Sequence, residues 1–307
     1  MDLVSLNTFI AIAELGSFSL AGEKLHITQP AVSKRLNTLE DQLGARLFDR
    51  LGRDIRLTQA GEALLPRAYR IVNELEDSKR ALQNLNDTVS GRLSLATSHH
   101  IGLHRLPPIL RSYTKEHPQV VLDIRFLDSE VAYNDVLHGR CELALITLSP
   151  QQVEPIQSVR VWLDELAFVV APEHPLSQQD SISLDDLCAW PAVFPGSQTF
   201  TSKIVLDLFR EKQLTPNIHM HTNYLETIKM MVSIGLAWSL LPRTMLDKDV
   251  QELHLPDVQL TRELGYILHP ERTLSNAAHA FIQSLQQSQS PAADDEPDRR
   301  QPQKQRS

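Results

Sequence analysis

Cysteine is scarce in this chain of 307 residues, and long apolar runs are missing from it. Cys141 and Cys188 are the two cysteines, and their wide separation fits a reducing cytoplasm without a disulfide framework. A redox switch is the alternative, but we expect two ordinary half-buried thiols. No apolar run approaches the roughly 20 residues that cross a bilayer. The N-terminus opens into an amphipathic helix rather than a signal peptide, so we expect a cytoplasmic protein with no membrane contact.

The short motifs that mark many enzymes are also missing. The sequence has no glycine-rich phosphate loop, no nucleophile elbow and no His/Cys cluster at an obvious metal-ligand spacing. Glu116, Asp123 and Asp128 form no acid–base pair that the sequence reveals, and His117 and His138 are scattered. We therefore expect no enzyme activity, no catalytic residue, no metal ion and no cofactor.

Basic side chains are outnumbered by acidic ones, which gives a formal net charge of −8. This total at first argues against a polyanionic partner. The acid excess lies outside residues 1–60, however, because that segment holds seven Lys/Arg and seven Asp/Glu. Its basic side chains cluster between Lys34 and Arg56. Local charge decides phosphate binding, so the acidic total does not exclude nucleic acid.

Residues 18–37 are typical of two short helices joined by a tight turn. Thr28 is a good N-cap for the second helix, and Pro30 falls in its first turn, where a missing N–H costs little. Apolar residues then recur at helical spacing and would face a core: Val32, Leu36, Leu39 and Leu43. The opposite face is polar, as in a helix that enters the DNA major groove. Its candidate DNA contacts are Thr28, Gln29, Pro30, Ser33, Lys34, Arg35 and Asn37.

A helix built on Leu6 and Phe9 precedes this pair, and a small hairpin is predicted around Gly52. Three helices and a hairpin make a winged helix-turn-helix domain over residues 1–60. The hairpin offers three further candidate DNA contacts to phosphates or a minor groove: Arg50, Arg53 and Arg56. The alternative is an amphipathic helical domain with a solvated polar face.

Residues 1 to about 60 resemble the DNA-binding domain of LysR-type transcriptional regulators. The matching segments are Leu6-x-x-Phe9, Gly16-Ser-Phe18, Ala21, Leu25, Thr28-Gln-Pro-Ala-Val-Ser-Lys-Arg35, Leu39-Glu40, Leu43-Gly44, Leu47-Phe48-x-Arg50 and Leu57-Thr58-x-Ala60-Gly61. Gly22 departs from the family's usual alanine, and a glycine inside a helix costs about 0.5–1 kcal/mol relative to alanine. The resemblance implies a sequence-specific regulator that binds double-stranded promoter DNA and acts on RNA polymerase.

One long helix is predicted over residues 61–90. Its apolar residues alternate four and three positions apart, as in the a/d seam of a coiled coil. The seam consists of Leu64, Ala68, Ile71, Leu75, Ser78, Leu82, Leu85 and Val89. We interpret it as a linker that pairs with a second copy, the alternative being packing on its own domain. The resemblance implies the same role, in a homodimer that assembles into a homotetramer.

Strands and helices alternate over residues 91–288, which indicates a doubly wound α/β fold. The predicted strands include 120–126, 143–147 and 217–221, and one helix is predicted over about 102–116. The length fits two lobes, one of about 91–160 plus 265–288 and one of about 162–264. The chain would cross between them near 158–163 and 261–265. This part resembles the family's effector domain, whose two Rossmann-like lobes are of the type 2 periplasmic-binding-protein kind. Residues 289–307 form a polar tail that we expect to be disordered.

Ligands of open α/β sheets bind beyond the carboxyl ends of the strands, near helix N-termini that favour anions. Polar side chains follow several predicted strands at this edge. Together with the resemblance they predict an effector site in the cleft between the lobes, made of Thr97, Ser98, His99, His100, Thr147, Ser197, Thr199 and Asn223. A small anion or a carboxylate metabolite would suit these donors. Because no arginine stands in these loops, we expect a small or weakly charged effector; the alternative for each hydroxyl is helix capping.

Three functions remain open at this point. The first is a DNA-binding, effector-responsive transcription regulator, which the whole pattern favours. The second is a solute-binding protein with an accessory helical domain, which would need export. The third is an α/β enzyme, which no catalytic constellation supports.

Overall fold

The computed structural model describes residues 1–51, 54–86, 88–256 and 258–288. Its N-terminal part is a winged helix-turn-helix, as predicted. The elements described there are α1 (Leu3–Leu15), α2 (Phe18–Lys24), α3 (Gln29–Leu43), β1 (Phe48–Leu51) and β2 (Asp54–Leu57). Strands β1 and β2 pair antiparallel as the hairpin. Phe9, Leu36 and Leu39 lie at the centre of the core that α1, α3 and the hairpin share.

Gly22 has a packing role that its sequence context does not reveal. A Cβ atom at this position would lie 2.7 Å from the carbonyl oxygen of Ile27. The chain folds back onto α2 there, with His26 in the left-handed region at φ 54°. Glycine therefore lets the turn between α2 and α3 approach α2 closely, in addition to any softening of the helix.

Helix α4 (Gln59–Gln83) is shorter at its C-terminal end than predicted. It ends before Asn84, whose side-chain amide donates to the carbonyl of Leu274 at 2.8 Å and accepts from the N–H of Asn276 at 3.0 Å. Leu85 therefore lies beyond the helix, and Val89 packs against the core of the first lobe. The prediction of a helix that continues to Val89 was wrong: the chain leaves the helix at Asn84, whose side chain is bonded to the distant residues Leu274 and Asn276.

The a/d seam of α4 is divided between two surfaces. Ala68 is fully buried in the core of the N-terminal domain, and Leu64 packs against that core. Farther along the same face, Ile71, Leu75 and Leu82 are exposed. The first turns of α4 thus belong to the N-terminal domain, and the later turns present an apolar face to the outside.

The α/β part follows, and its elements alternate along the chain as predicted. Its described helices are α5 (His99–His104), α6 (Leu106–Glu116), α7 (Ser129–Leu137), α8 (Leu184–Cys188), α9 (Phe200–Glu211), α10 (Leu225–Ser233) and α11 (Asn276–Gln287). Its described strands are β3 (Gly91–Thr97), β4 (Val120–Phe126), β5 (Leu143–Thr147), β6 (Gln157–Val170), β7 (Pro191–Phe194), β8 (Asn217–His221), β9 (Ser239–Pro242), β10 (Gln251–Glu252) and β11 (Leu260–Leu268).

Strands β6 and β11 carry the chain between the lobes. They pair antiparallel inside one sheet of order β10-β6-β11-β5-β3-β4, and β9 also pairs with β6, while β7 and β8 pair separately. The crossings predicted near 158–163 and 261–265 therefore lie within two paired strands. Their register shifts at Gly265, where a Cβ atom would lie 2.1 Å from the carbonyl oxygen of Val159. Only glycine allows this close approach.

Apolar cores lie in both lobes. In the first lobe, α6 and α11 pack on the sheet through Tyr113 and Phe281, whose rings meet edge to face at 5.3 Å between centroids. In the second, Trp238 is fully buried and packs against Phe194 and Phe209. None of the described helices combines the length and the apolar character that crossing a bilayer requires.

Candidate functional site

The polar face of α3 is open to solvent. Thr28, Gln29, Pro30, Lys34 and Asn37 are exposed, and Ser33 and Arg35 are half-buried. Val32, Leu36 and Leu39 face the opposite way, into the core. The side-chain amide of Gln29 donates to the Ser33 hydroxyl at 3.2 Å, so both lie at the N-terminal end of this face. The seven candidates thus lie on α3 or at its N-cap; their role as DNA contacts stays a prediction.

The hairpin beside α3 supplies the remaining candidates. Arg56 lies on β2, is exposed, and stands opposite Asp49 in the strand register. Arg53 and the side chain of Arg50 lie outside the described residues. Arg56 is therefore the wing residue on which a test can be designed from the structure.

A cavity of about 340 Å³ lies between the two lobes of the α/β part. Most of the predicted effector residues line it: Ser98, His99, His100, Thr147, Thr199 and Asn223. Thr97 does not, because it is fully buried and donates its hydroxyl to the carbonyl of Leu145 at 2.9 Å. Ser197 is exposed outside the lining.

Thr199 shows how capping and cavity lining coincide. Its hydroxyl donates to the carbonyl of Gly196 at 2.8 Å and accepts from the N–H of Ser202 at 3.3 Å, so it caps α9. Ser98 precedes α5 without a side-chain cap hydrogen bond. For Thr199 the capping alternative therefore holds, and the Ser98 hydroxyl is not used to cap its helix.

Arg262 of β11 is the cavity residue that the sequence analysis missed. It is 5% exposed, and its Nε and Nη2 donate to Asp164 Oδ2 on β6 at 3.0 and 2.8 Å. Its Nη1 donates to the Thr201 hydroxyl at 3.0 Å. Arginine is thus present in the cleft, although it comes from a strand rather than a loop. The adjacent charged residues Arg262 and Glu263, within the predicted crossing 261–265, were the available signal.

Hydrogen bonds join the two lobes across the cavity. Asn223 donates to Asp128 Oδ2 at 2.7 Å and accepts from the N–H of Gly196 at 2.8 Å. Glu130 of α7 accepts from the N–H of Phe200, the first residue of α9, at 2.6 Å. Burial raises the pKa of Glu130. A carboxylate of the first lobe thus occupies the N-terminus of a helix in the second.

The histidines of α5 lie at the rim of the same cavity. His100 is 6% exposed, and burial, aided by the charge of Arg262, lowers its pKa to about 4. His104, one helical turn later, shares a hydrogen bond with Glu226 of α10, with 2.8 Å between Nε2 and Oε1. Ligand atoms of His100, His104 and Glu226 lie within 4.8 Å of one another. The sequence analysis did not find this group, because Glu226 is brought to the histidines only by the fold.

The two cysteines lie in different lobes, as expected. Cys141 is buried in the first lobe, and burial raises the pKa of its thiol to about 12. Cys188 packs against the core of the second lobe, and burial raises its pKa as well. The reactive species is the thiolate, so both thiols have the character of structural rather than redox-active cysteines.

Comparison with known proteins matches both halves of the chain. Residues 3–62 match the family described as bacterial regulatory helix-turn-helix protein, lysR family, and residues 86–290 match the LysR substrate binding domain. An HTH-type transcriptional regulator in the ibpB-leuC intergenic region of Azotobacter vinelandii is 76% identical over 108 residues, which are 35% of this chain and 75% of that protein.

Two further matches each cover more than nine-tenths of this chain. A probable RuBisCO transcriptional regulator of Synechocystis sp. is 30% identical over 293 residues, covering 92% of this chain and 85% of that protein. A full-length OxyR variant from Pseudomonas aeruginosa has the same fold, with a TM-score of 0.68 at 22% identity over 93% of this chain and 95% of that chain.

Proposed function

The chain belongs to the LysR family of bacterial transcriptional regulators, and we propose that α3 reads its DNA site while a carboxylate in the interlobe cleft controls it. We choose a carboxylate because the guanidinium of Arg262 lies in the lining of the cleft. The partners are promoter DNA, the effector and RNA polymerase, and the setting is the cytoplasm. The cleft binds its ligand without transforming it.

DNA recognition uses the exposed end of α3. Gln29 and Ser33 lie toward the N-terminus of the helix, the end that reaches base edges in a helix-turn-helix. Lys34 and Arg56 are exposed and contact phosphates. Base contacts choose the sequence, and phosphate contacts supply salt-dependent affinity.

Dimerisation uses the exposed face of α4. Ile71, Leu75 and Leu82 recur on one side of the helix and are 40%, 37% and 68% exposed. An apolar stripe at this spacing is covered by pairing with the same stripe of a second copy. Two recognition helices are then held about one DNA turn apart, and pairing through the effector domains gives a tetramer.

Effector binding uses the positive end of the cleft. Asp164 and Thr201 engage three of the five N–H groups that an arginine offers, so Arg262 keeps donors for a ligand. The first N–H of α9, now bonded to Glu130, provides a second anion-binding point. A ligand carboxylate displaces Glu130 from this amide and thereby changes how the lobes are joined. The resulting population shift alters the quaternary arrangement and the bend of the DNA.

Two measurements test this proposal. A gel-shift titration with the DNA upstream of the chain's own coding region should show specific binding that weakens as salt rises. Absence of such binding would contradict the role of α3 and favour a solute-binding protein. A thermal-shift screen of small carboxylates, inorganic anions and neutral analogues should find stabilisation by carboxylates only. Stabilisation by neutral compounds alone would contradict the carboxylate.

A further inference from the structure

A cluster of nitrogen and carboxylate donors joins the two lobes beside the cleft. It consists of His99, His100 and His104 on α5 of the first lobe and Glu226 on α10 of the second. His104 Nε2 lies 2.8 Å from Glu226 Oε1, and His99 Nδ1 lies 3.5 Å from Glu226 Oε2. The ring centroids of His100 and His104 are 4.9 Å apart. The fold thus converges three imidazoles and a carboxylate on one small volume.

Hydrogen bonding leaves part of this cluster unexplained. His100 is 6% exposed, yet neither of its ring nitrogens has a hydrogen-bond partner among the described residues. Its nearest acid is Asp164, whose Oδ2 lies 3.8 Å from Nε2, beyond hydrogen-bond distance. Within the described part of the chain, Glu226 Oε2 is buried and unpartnered as well. Buried polar atoms of this kind are costly unless another group completes their contacts.

We propose that His100, His104 and Glu226 bind one divalent transition-metal ion, with Nδ1 of His99 as the fourth ligand. Histidines four residues apart on a helix present their rings on one face, which is a recurrent arrangement for zinc. Imidazole nitrogens with one carboxylate favour Zn²⁺, Co²⁺ or Ni²⁺ over Mg²⁺ and Ca²⁺, which prefer oxygen ligands. Ligands held tetrahedrally by Zn²⁺ lie about 3.4 Å apart. The donors of His100, His104 and Glu226 already lie within 4.8 Å of one another, and His99 Nδ1 lies 3.5 Å from Glu226 Oε2, so small side-chain rotations reach this spacing.

The ion would act as a bridge between lobes. Three ligands come from α5 and one from α10, so metal binding resists any opening that separates these helices. This site goes beyond the proposed carboxylate effector, because its donors bind a cation and lie at the rim rather than at Arg262. Asp164, whose Oδ2 lies 3.8 Å from His100 Nε2, offsets part of the charge of Arg262 beside the site.

Cobalt alone is the probe for the test. Tag-free full-length protein, stripped of metal with a chelator, is titrated with Co²⁺ and its visible absorption is recorded. We expect one Co²⁺ per chain with the bands of a low-coordinate nitrogen and oxygen site, and loss of those bands when Zn²⁺ is added. Zn²⁺ should also raise the thermal midpoint, because it binds only the folded chain.

Variants decide whether these residues hold the ion. His104→Ala and Glu226→Gln should each weaken Co²⁺ binding roughly tenfold or more, since removing a ligand costs at least as much as removing a supporting contact. His254→Ala, at an exposed histidine outside the cluster, should bind like wild type. Circular dichroism without metal checks folding, and His104→Gln replaces any variant that does not fold. The proposal is overturned if wild type does not bind Co²⁺ or if the cluster variants bind it as tightly as wild type. Neither result bears on the proposed DNA-binding function, which is tested separately.

Discussion

The guanidinium of Arg140, in the effector domain, donates a hydrogen bond to the carboxylate of Glu14, in the first helix, at 2.7 Å. Glu14 also accepts from the hydroxyl of Tyr69 on α4 at 2.6 Å. The α1 helix, the linker helix and the first lobe therefore meet at one carboxylate. This contact physically connects the effector domain to the DNA-binding domain.

Arg140→Gln should loosen this junction. Hydrogen bonds to charged groups contribute about 1.5–3 kcal/mol each when they are sheltered from water, and both side chains here are largely buried. We expect faster hydrogen exchange at the end of α1 and a lower thermal midpoint. Arg111→Gln, an exposed arginine on α6, is the matched control. Unchanged exchange in α1 would show that the contact does not hold the domains together.

The same carboxylate should make stability depend on pH. Burial by itself would raise the pKa of Glu14, but hydrogen bonds from Lys24 and Tyr69 and the charge of Arg140 hold it below its usual 4.5. Since the folded pKa lies below the unfolded one, the stabilisation is complete above about pH 4.5 and is lost as pH falls through the folded pKa. Denaturant unfolding of Glu14→Gln should therefore vary less over this acidic range than that of wild type. Identical pH profiles would contradict this role.

Two kinds of DNA-binding defect should be separable on α3. Lys34→Ala should remove the proposed phosphate contact, so affinity should fall for all sequences and the slope of log affinity against log salt concentration should become shallower by about one. Gln29→Ala should instead relax the preference for one base, by about 1–3 kcal/mol of discrimination. Fluorescence anisotropy with operator and mutated DNA measures both. Lys115→Ala, at an exposed lysine of α6, serves as control, and wild-type behaviour of both α3 variants would mean that another face contacts DNA.

Much of this architecture could be predicted because its signals are local. Strands β4, β5 and β8 occupy the predicted segments 120–126, 143–147 and 217–221. Alternation of apolar residues marks such strands without knowledge of their partners. The break between α5 and α6 was missed, although Pro107 and Pro108 in the first turn of α6 favour a new helix start there.

The features that were missed depend on long-range pairing. Arg262 reaches the cleft because β11 pairs with β6 in a register that sets it opposite Asp164. Glu226 meets His104 across the two lobes, 122 positions apart. No periodicity within either segment encodes these contacts. The end of α4 was misplaced for a similar reason, since the Asn84 side chain that follows the helix is bonded to the distant residues Leu274 and Asn276.

Leu75→Glu should disrupt the proposed dimer. Leu75 is 37% exposed on the apolar face of α4, and a carboxylate there would be buried without a partner once two copies pair. Sedimentation velocity should show a shift toward monomer, and operator affinity should fall with it. Ile234→Glu, at an apolar residue that is 61% exposed after α10, should leave assembly intact. A Leu75→Glu protein that remains fully assembled would exclude this face as the dimer contact.

Removing only Arg262 from its buried pair with Asp164 should lower the free energy of unfolding more than replacing both residues with apolar ones. Arg262→Met leaves the Asp164 carboxylate, 1% exposed, with Arg105 as its remaining cationic contact, at 3.2 Å. Removing one partner of a buried pair typically costs about 3–5 kcal/mol. We expect the double variant Arg262→Met/Asp164→Leu to recover much of this loss in denaturant unfolding. Additive losses in the double variant would indicate that the two residues stabilise the fold independently.

The double variant also isolates the role of Arg262 in ligand binding. Once stability is recovered, loss of carboxylate stabilisation in thermal shift would follow from loss of the guanidinium itself. Retained carboxylate binding would place the anion elsewhere in the cleft.

Glu130 should compete with the effector for the N-terminus of α9. Its carboxylate accepts the N–H of Phe200 at 2.6 Å, at the position that we propose for a ligand carboxylate. Glu130→Ala should raise affinity for a carboxylate, because the amide is freed and a like charge is removed. Glu130→Gln should raise it less, because the amide oxygen still accepts the bond. Isothermal titration measures the carboxylate affinity of both variants. Glu116→Gln, at an exposed glutamate of α6, is the control. Weaker binding by Glu130→Ala would mean that Glu130 supports the ligand rather than standing in for it.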